Sequence, residues 1–274
     1  MKWCIILPAV PVIVFIYMFV QALLYKTIYQ TIPTGAGYRF LHLSDIHIGL
    51  LFVSSHRISK TIKKVSPDYI IISGDLLDKP KHLRKLARWL KGLNTDVPIF
   101  AVAGNHEYWC FKNCFSFRKK FIDEMKKLNI RFLFNELVFL PSGKPGTQEH
   151  ASLGMALIGI DDFKTGVVVN NDIFCGLKGK YKCVLAFSHN PDIALHIPEN
   201  SIDILITGHF HGGQVWMPFS LEYSLLRKDR LCKMGYLKGP ATIRKNRIYI
   251  SRGLGTVLLP LRFFSVPEVT VFDV

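Results

Sequence analysis

The sequence predicts a layered α/β domain behind an N-terminal apolar segment. Three observations predict it. Short apolar runs of strand length alternate with stretches of helical periodicity, a polar motif closes run after run, and Trp3 to Tyr25 carries no charge. Such alternation packs helices against a largely parallel sheet, which gathers its ligands at the strand ends. With 274 residues, 49% of them apolar, the chain can bury one core of roughly 230 residues after the N-terminal segment. That composition excludes a disordered chain.

The N-terminal run comes first. At ~1.5 Å per helical residue it covers the ~30 Å hydrocarbon layer of a bilayer. Trp3 and Tyr25 stand at its ends, where amphipathic rings prefer the interface, and Lys26 closes it. The expectation is a transmembrane anchor over residues 1–26. A cleaved signal peptide ending near Val20-Gln21-Ala22 is the competing reading, but the run is long for a signal core. Lys2 alone precedes the run, whereas Lys26, Arg39, Arg57, Lys60, Lys63 and Lys64 follow it. The positive-inside rule therefore predicts a single-pass membrane protein with its globular part in the cytoplasm. Pro33, Gly35 and Gly37 mark residues 27–38 as a linker, which leaves 39–274 for the domain.

Within the domain, buried strands are expected at 38–44, 69–73, 97–103, 155–160, 182–187, 203–207, 247–251 and 268–272. Helices are expected at 58–65, 81–92 and 115–128. No internal repeat interrupts this order. Six cysteines are scattered without a C-x-x-C pair, so zinc-finger and dithiol redox functions are not indicated. The formal charge of +15, from 35 Lys and Arg against 20 Asp and Glu, suits a polyanionic partner. No nucleic-acid-binding module is recognisable, so nucleic acid is not the expected one.

Five clusters follow apolar runs: Ser44-Asp45-Ile46-His47, Ser73-Gly74-Asp75, Gly104-Asn105-His106-Glu107, Ser188-His189-Asn190 and Gly208-His209-Phe210-His211-Gly212-Gly213. Together they offer Asp, Asn and His donors, a mixture of hard oxygen and borderline nitrogen that suits Mn, Fe or Zn rather than Ca. An isolated Asp-x-His is more often structural than metal-binding. All five in series are not explained that way. His42, His56, His82, His150 and His196 lie outside the clusters and read as ordinary histidines. Asp161-Asp162, after the apolar run 156–160, reads first as a loop cap.

At these clusters the sequence resembles the calcineurin-like metallophosphoesterase family over about residues 39–274. The resemblance implies a four-layer α/β/β/α sandwich, here preceded by one transmembrane helix, with two divalent metal ions, Mn first and Fe or Zn as alternatives. Carried over by position, Asp45, His47 and His211 would hold one metal, and Asn105, His189 and His209 the other, with Asp75 bridging. His106 would act on the phosphate or its leaving oxygen, and Glu107 would orient His106. Such a centre hydrolyses a phosphodiester or pyrophosphate bond with metal-bound hydroxide. Phe210 departs from the small or hydroxylated residue more usual there, which bears on substrate fit.

The surroundings give the substrate expectation. A basic and aromatic stretch, 216–245, reads equally as an anionic-bilayer contact or as an ordinary cap. The apolar ridge 254–264 is core or, if exposed, a seat for an amphiphile whose phosphate lies near Arg252 or Arg262. Gly212-Gly213-Gln214 and Ser251-Arg252-Gly253-Leu254-Gly255 resemble the bacterial membrane-attached branch of the family. That resemblance implies an anionic, amphiphilic phosphate substrate and membrane lipids as partners. The specific expectation is hydrolysis of UDP-2,3-diacylglucosamine to lipid X and UMP in lipid A synthesis. A general cell-envelope phosphoesterase, a nuclease, a cyclic-nucleotide phosphodiesterase and a membrane scaffold with a structural metal site are the alternatives.

Overall fold

The computed structural model of the protein describes residues 3–141, 154–215 and 227–274; His150 and residues 216–226 of the basic stretch lie outside the described residues. Helix α1 (Trp3–Leu23) is followed by strands β1 (Lys26–Thr31) and β2 (Arg39–Leu43), helix α2 (Ser55–Val65), β3 (Tyr69–Ser73), α3 (Leu83–Lys91) and β4 (Ile99–Val102). Next come α4 (Asn105–Asn113), α5 (Phe115–Lys127), β5 (Ile130–Phe132), β6 (Glu136–Leu140), β7 (Met155–Gly159), β8 (Cys183–Phe187) and β9 (Ile204–Thr207). The chain closes with α6 (Arg230–Lys233), β10 (Gly239–Ile243), β11 (Asn246–Ile250) and β12 (Glu268–Asp273).

The strands form two six-stranded sheets, ordered β1-β12-β2-β3-β4-β5 and β10-β11-β9-β8-β7-β6. In the first, β2, β3, β4 and β5 run parallel; in the second, β7, β8, β9 and β11 do. Strands buried on both faces need apolar residues at every position, and Tyr69-Ile70-Ile71-Ile72-Ser73 shows how they are used. Ile70 and Ile72 face a core shared with Ile58, Ile62, Leu86 and Phe121 of the helices. Tyr69 and Ile71 face a core between the sheets with Leu157, Leu185 and Ile206. A third core, with Ile158, Ala186, Leu205 and Ile250, lies on the outer face of the second sheet under 3-10 turns and α6. The layers are thus helix, sheet, sheet and a thin outer cover. Because the central strands are parallel, the clusters after β2, β3, β4, β8 and β9 emerge at one edge.

Two expectations about the N-terminus do not hold. Residues 27–38 are not simply a linker, since β1 pairs in parallel with β12 as an edge strand. The transmembrane anchor and single-pass location are overturned as well: among the described residues, no helix is long and apolar enough to cross a membrane. The uncharged run does form α1, but its C-terminal part is committed to protein contacts. Gln21 and Ala22 are buried, the Met18 carbonyl accepts from the Arg262 N–H at 3.0 Å, and Arg57 donates to the Leu23 carbonyl at 2.6 Å. Rings of Tyr17 and Phe19 meet Phe263 and Phe52 edge-on. Hydrophobicity counted along the sequence cannot tell a lipid neighbour from a protein one.

Candidate metal centre

The cluster loops share a backbone feature that bears on how the donors converge. Asp45, His47, Asp75, His209 and His211 all have positive φ, between 40° and 72°. Asn94, Asn129, Asn135 and Asn200 also do; Asn, Asp and His tolerate this region better than other non-glycine residues, though it still costs them some strain. Strain of this kind persists where surrounding structure over-determines it. It turns side chains off the strand axis into the space between the sheet edges. Gly74, at φ +79°, admits the crossing: a Cβ there would lie 2.8 Å from both Gly104 N and His189 Nδ1. Gly208 is closed in similarly, since a Cβ would lie 2.3 Å from Asp45 Oδ2.

Three donor groups result, and one of them, His47 with Asp78 and His106, shares His47 with a second. Asp45, His47 and His211 present one ligand atom each within 4.8 Å of one another, and so do Asp75, His189 and His209. Asp75 Oδ2 lies 3.1 Å from His189 Nε2 and 3.5 Å from His47 Nε2, between the groups. Asn105 Oδ1 lies 3.1 Å from His189 Nε2, and His209 Nδ1 lies 3.0 Å from it. All seven expected metal residues are therefore gathered in one place. The donors fit divalent ions. Imidazole nitrogen and carboxylate oxygen bind such ions at ~2.0–2.2 Å, and two donors on one ion then stand roughly 3 Å apart, as these do. His47 Nε2 is buried without a hydrogen-bond partner, an atom that calls for a ligand.

The electrostatics divide the donors. Burial works against the Asp75 carboxylate, yet His189, His47 and His106 hold it well below the usual carboxylate range. Burial would lower His189, but Asp75 beside it lifts it to about 10, so an ion bound there would have to displace its proton. Burial, with His47 and Arg262 nearby, keeps His211 well below its ordinary value, in the neutral form that binds metal.

The two expected catalytic roles fare differently. His106 stands beside the donors, with Nε2 3.9 Å from Asp75 Oδ2 and its ring against Trp109. Glu107, expected to orient His106, points elsewhere: its carboxylate accepts from the N–H groups of Asp75, Leu76, Leu77 and Gly104 at 2.8–2.9 Å. It braces the loop that carries Asp75, while burial and the Asp75 charge push it up to about 7. The residue that reaches His106 is Asp78, whose Oδ1 lies 3.2 Å from His106 Nδ1 and 2.5 Å from His47 Nδ1. Sequence reading missed it, although Gly74-Asp75-Leu76-Leu77-Asp78 carried the signal. Asp229 was missed too; it lies 3.5 Å from His209 Nε2 and accepts from Lys164 and from Asn190. Nothing local marks it in its basic run.

Arg252 and Arg262, expected to meet substrate, are committed to structure. Arg252 pairs with buried Glu268. Arg262 is 0% exposed and donates to the carbonyls of His211, Arg252, Ser265 and Gly255, which ties the ridge to the His211 loop. Phe210 is equally buried, in the third core, so it does not enter the site. His42 is also buried, bonded to Ser73 Oγ at 2.7 Å and outside the donor groups. Asp162 reads as a loop cap, since its Oδ2 accepts from Lys164 N, Thr165 N and Thr165 Oγ1.

The donors open into a cavity of about 600 Å³. Its floor includes Asn105, His209 and His211; Lys164, Arg227 and Lys228 bring positive charge and Asp162 and Asp229 negative; Met18 and the 257–261 segment supply an apolar wall.

A model of the calcineurin-like phosphoesterase family matches residues 38–213. The chain belongs to that family. It is a metal-dependent phosphoester hydrolase, with two sheets and paired donor groups. The metallophosphoesterase YkoQ of Bacillus subtilis (strain 168) is 32% identical to this phosphoesterase over 246 residues, 89% of this chain and 86% of that one. The phosphodiesterase YaeI of Escherichia coli (strain K12) is 28% identical, covering 87% and 83%. The UDP-2,3-diacylglucosamine pyrophosphatase LpxG of Chlamydia muridarum (strain MoPn / Nigg) is 22% identical, covering 86% and 83%.

Proposed function

We propose that this phosphoesterase hydrolyses a phosphodiester or pyrophosphate at a two-metal centre in which Asp45, His47 and His211 hold one ion, Asn105, His189 and His209 hold the other, and Asp75 is shared. The observation that carries it is the position of Asp75 Oδ2 between the two donor groups. A bound pair of divalent ions, Mn as the first choice, supplies an activated water and neutralises the phosphoryl charge. The protein's own residues do the rest. His106, with Nε2 3.9 Å from Asp75 Oδ2 and steadied by Asp78, would protonate the leaving oxygen. Asp78 and Asp229 fix the orientation of His47 and His209, as outer partners of ligand histidines do. Glu107 holds the Asp75 loop. Arg227 and Lys228 draw the anion in.

The finer reading is that the substrate is an amphiphilic phosphate, with UDP-2,3-diacylglucosamine cleaved to lipid X and UMP as its specific form. The function named for LpxG supports it, and so does an apolar wall beside a cationic one. The reaction class is tested with Mn and bis-p-nitrophenyl phosphate, where chelation and Asp75→Asn should each abolish turnover; an unchanged rate in both removes the two-metal reading. The finer substrate is tested by UMP release from UDP-2,3-diacylglucosamine. Brisk cleavage of simple diesters with no UMP would discard it and leave the reaction class standing.

A further inference from the structure

The apolar wall of the cavity is assembled from two distant parts of the chain. Met18 of α1 and the segment Val257, Leu258, Leu259 and Leu261 line the same space as His209 and His211. The parts are joined directly, through the Arg262 N–H to the Met18 carbonyl at 3.0 Å and the Tyr17 ring against Phe263 and Phe264. The ridge is also fixed to the ligand loop. Gln214, three residues after His211, receives the Val257 N–H at 2.7 Å and donates to the carbonyls of Val257 and Leu259 at 2.9 and 3.0 Å.

This clamp keeps Leu258 at φ 62° while its side chain is 88% exposed, beside Leu259 at 57%. A branched apolar residue is a poor choice at positive φ, where Gly or Asn would be strain-free. An exposed leucine gains nothing there from core packing. Backbone strain together with apolar exposure, at the mouth of a cationic cavity, marks a contact made with something else. Lys164, Arg227 and Lys228 line that cavity with Asp162 and Asp229, and Lys164 is paired with Asp229, so Arg227 and Lys228 are the cations that would complement a phosphate whose substituent lies along the apolar side.

We propose that the C-terminal turn of α1 and the Leu258 ridge form a chain-binding subsite that selects phosphate esters carrying a linear alkyl or acyl substituent. The inference rests on the reading of the cavity as a phosphoesterase site. It adds that the N-terminal helix is part of the substrate site and that selectivity for the apolar substituent resides in Met18, Leu258 and Leu259.

The test uses the full chain with Mn and two p-nitrophenyl phosphodiesters, one methyl and one octyl, below the micellar range. Calorimetric binding of methylphosphonate and octylphosphonate gives a readout independent of turnover. Each methylene fully removed from water is worth roughly a fourfold change, so partial burial of the chain should favour the octyl compounds by about tenfold or more in both kcat/KM and Kd. Leu258→Asn, which suits the backbone, and Met18→Gln should each reduce that ratio to within about threefold. Val168→Asn, at an 84% exposed valine outside this cavity, should keep it.

Equal handling of methyl and octyl compounds by the unaltered protein overturns the subsite and leaves the phosphoesterase reading intact. Failure to hydrolyse either ester overturns that reading instead. Were Leu258→Asn to convert a dimer into a monomer by light scattering while the octyl preference persisted, the ridge would be an interface between copies and the subsite would be wrong.

Discussion

The floor and the wall of the cavity are built on opposite principles. The floor is buried, dense in charge, and made by short loops that each follow one strand: Asp45, His47, Asp75, His189 and His211 are at most 2% exposed. The wall is apolar, partly exposed, and joins residues 17–18 to residues 257–264 across nearly the whole chain. Both retain non-glycine residues at positive φ. In the floor, that strain converges donors on a small volume. In the wall, it presents a leucine outward. The difference teaches that chemistry is set locally and selectivity by long-range assembly, so variants in the two regions should fail differently.

The largest effect is expected at the centre of the floor. Asp75 Oδ2 lies between the two donor groups, and Asn would keep its shape while removing the charge that balances His47 and His189. Asp75→Asn should lower kcat on bis-p-nitrophenyl phosphate by on the order of 10³-fold, the scale on which loss of one central electrostatic partner acts. Bound metal measured by inductively coupled plasma spectrometry should fall below two ions per chain. A variant with both ions and a near-normal rate would show that the floor does not depend on its middle.

One step outward, Asp78 supports His47 and His106 through the two oxygen-to-nitrogen contacts at 2.5 and 3.2 Å. Loss of an outer partner of a ligand histidine costs about 10–100-fold in metal affinity or activity. Asp78→Asn should fall in that range, with metal titration separating the part due to His47 from the part due to His106. Glu107→Gln offers the contrast. Its carboxylate accepts from the backbone N–H groups of Asp75, Leu76, Leu77 and Gly104, so its loss should appear as lowered Tm together with lowered activity. A pure catalytic defect at unchanged Tm would return Glu107 to a role beside His106.

These cases show how far the sequence could be read. The strands and the five clusters were legible because each strand–motif unit is local: β3 is a run of isoleucines, and Gly74-Asp75 follows it directly. Asp78 was equally local, yet lay in the irregular loop just past the motif. Asp229 was not legible, because its partners His209, Lys164 and Asn190 are 20 to 65 residues away. Arg252 and Arg262 were misread because the pairing of Arg252 with Glu268, and of Arg262 with the carbonyls of His211, Arg252, Gly255 and Ser265, arises only in the fold. The apolar N-terminus was misread because the residues that meet its end, Phe52, Arg57, Arg262 and Phe263, are brought to it only by the fold.

A smaller effect is expected where floor and wall are joined. Gln214→Ala removes three hydrogen bonds from the ridge, each worth about 0.5–1.5 kcal/mol, and leaves Leu258 without the clamp that fixes its backbone. The octyl-to-methyl preference should fall several-fold, while the two-ion stoichiometry remains. Loss of one ion at an unaltered preference would mean that Gln214 serves the His211 loop rather than the wall.

The smallest effect lies beneath the floor and concerns stability alone. His42 sits on β2, 1% exposed, with burial pushing it down to about 3. In the unfolded chain it titrates near ~6.5. Between those two values the unfolded state binds one more proton than the folded state at this site. The contribution of neutral His42 is therefore complete above pH ~6.5 and is lost as pH falls toward 3, with a slope of at most ~1.4 kcal/mol per pH unit. His42→Leu should lose that slope, and Ser73 Oγ keeps Ser44 Oγ as a partner at 3.0 Å. Urea midpoints of the two proteins between pH 7 and 4.5 provide the measurement, since acid effects from other groups are common to both. The curves should diverge below about pH 6.5, with the parent protein falling faster. Parallel curves would mean that His42 is hydrated or charged in the folded state, and that the apolar packing beneath the metal centre is looser than its burial indicates.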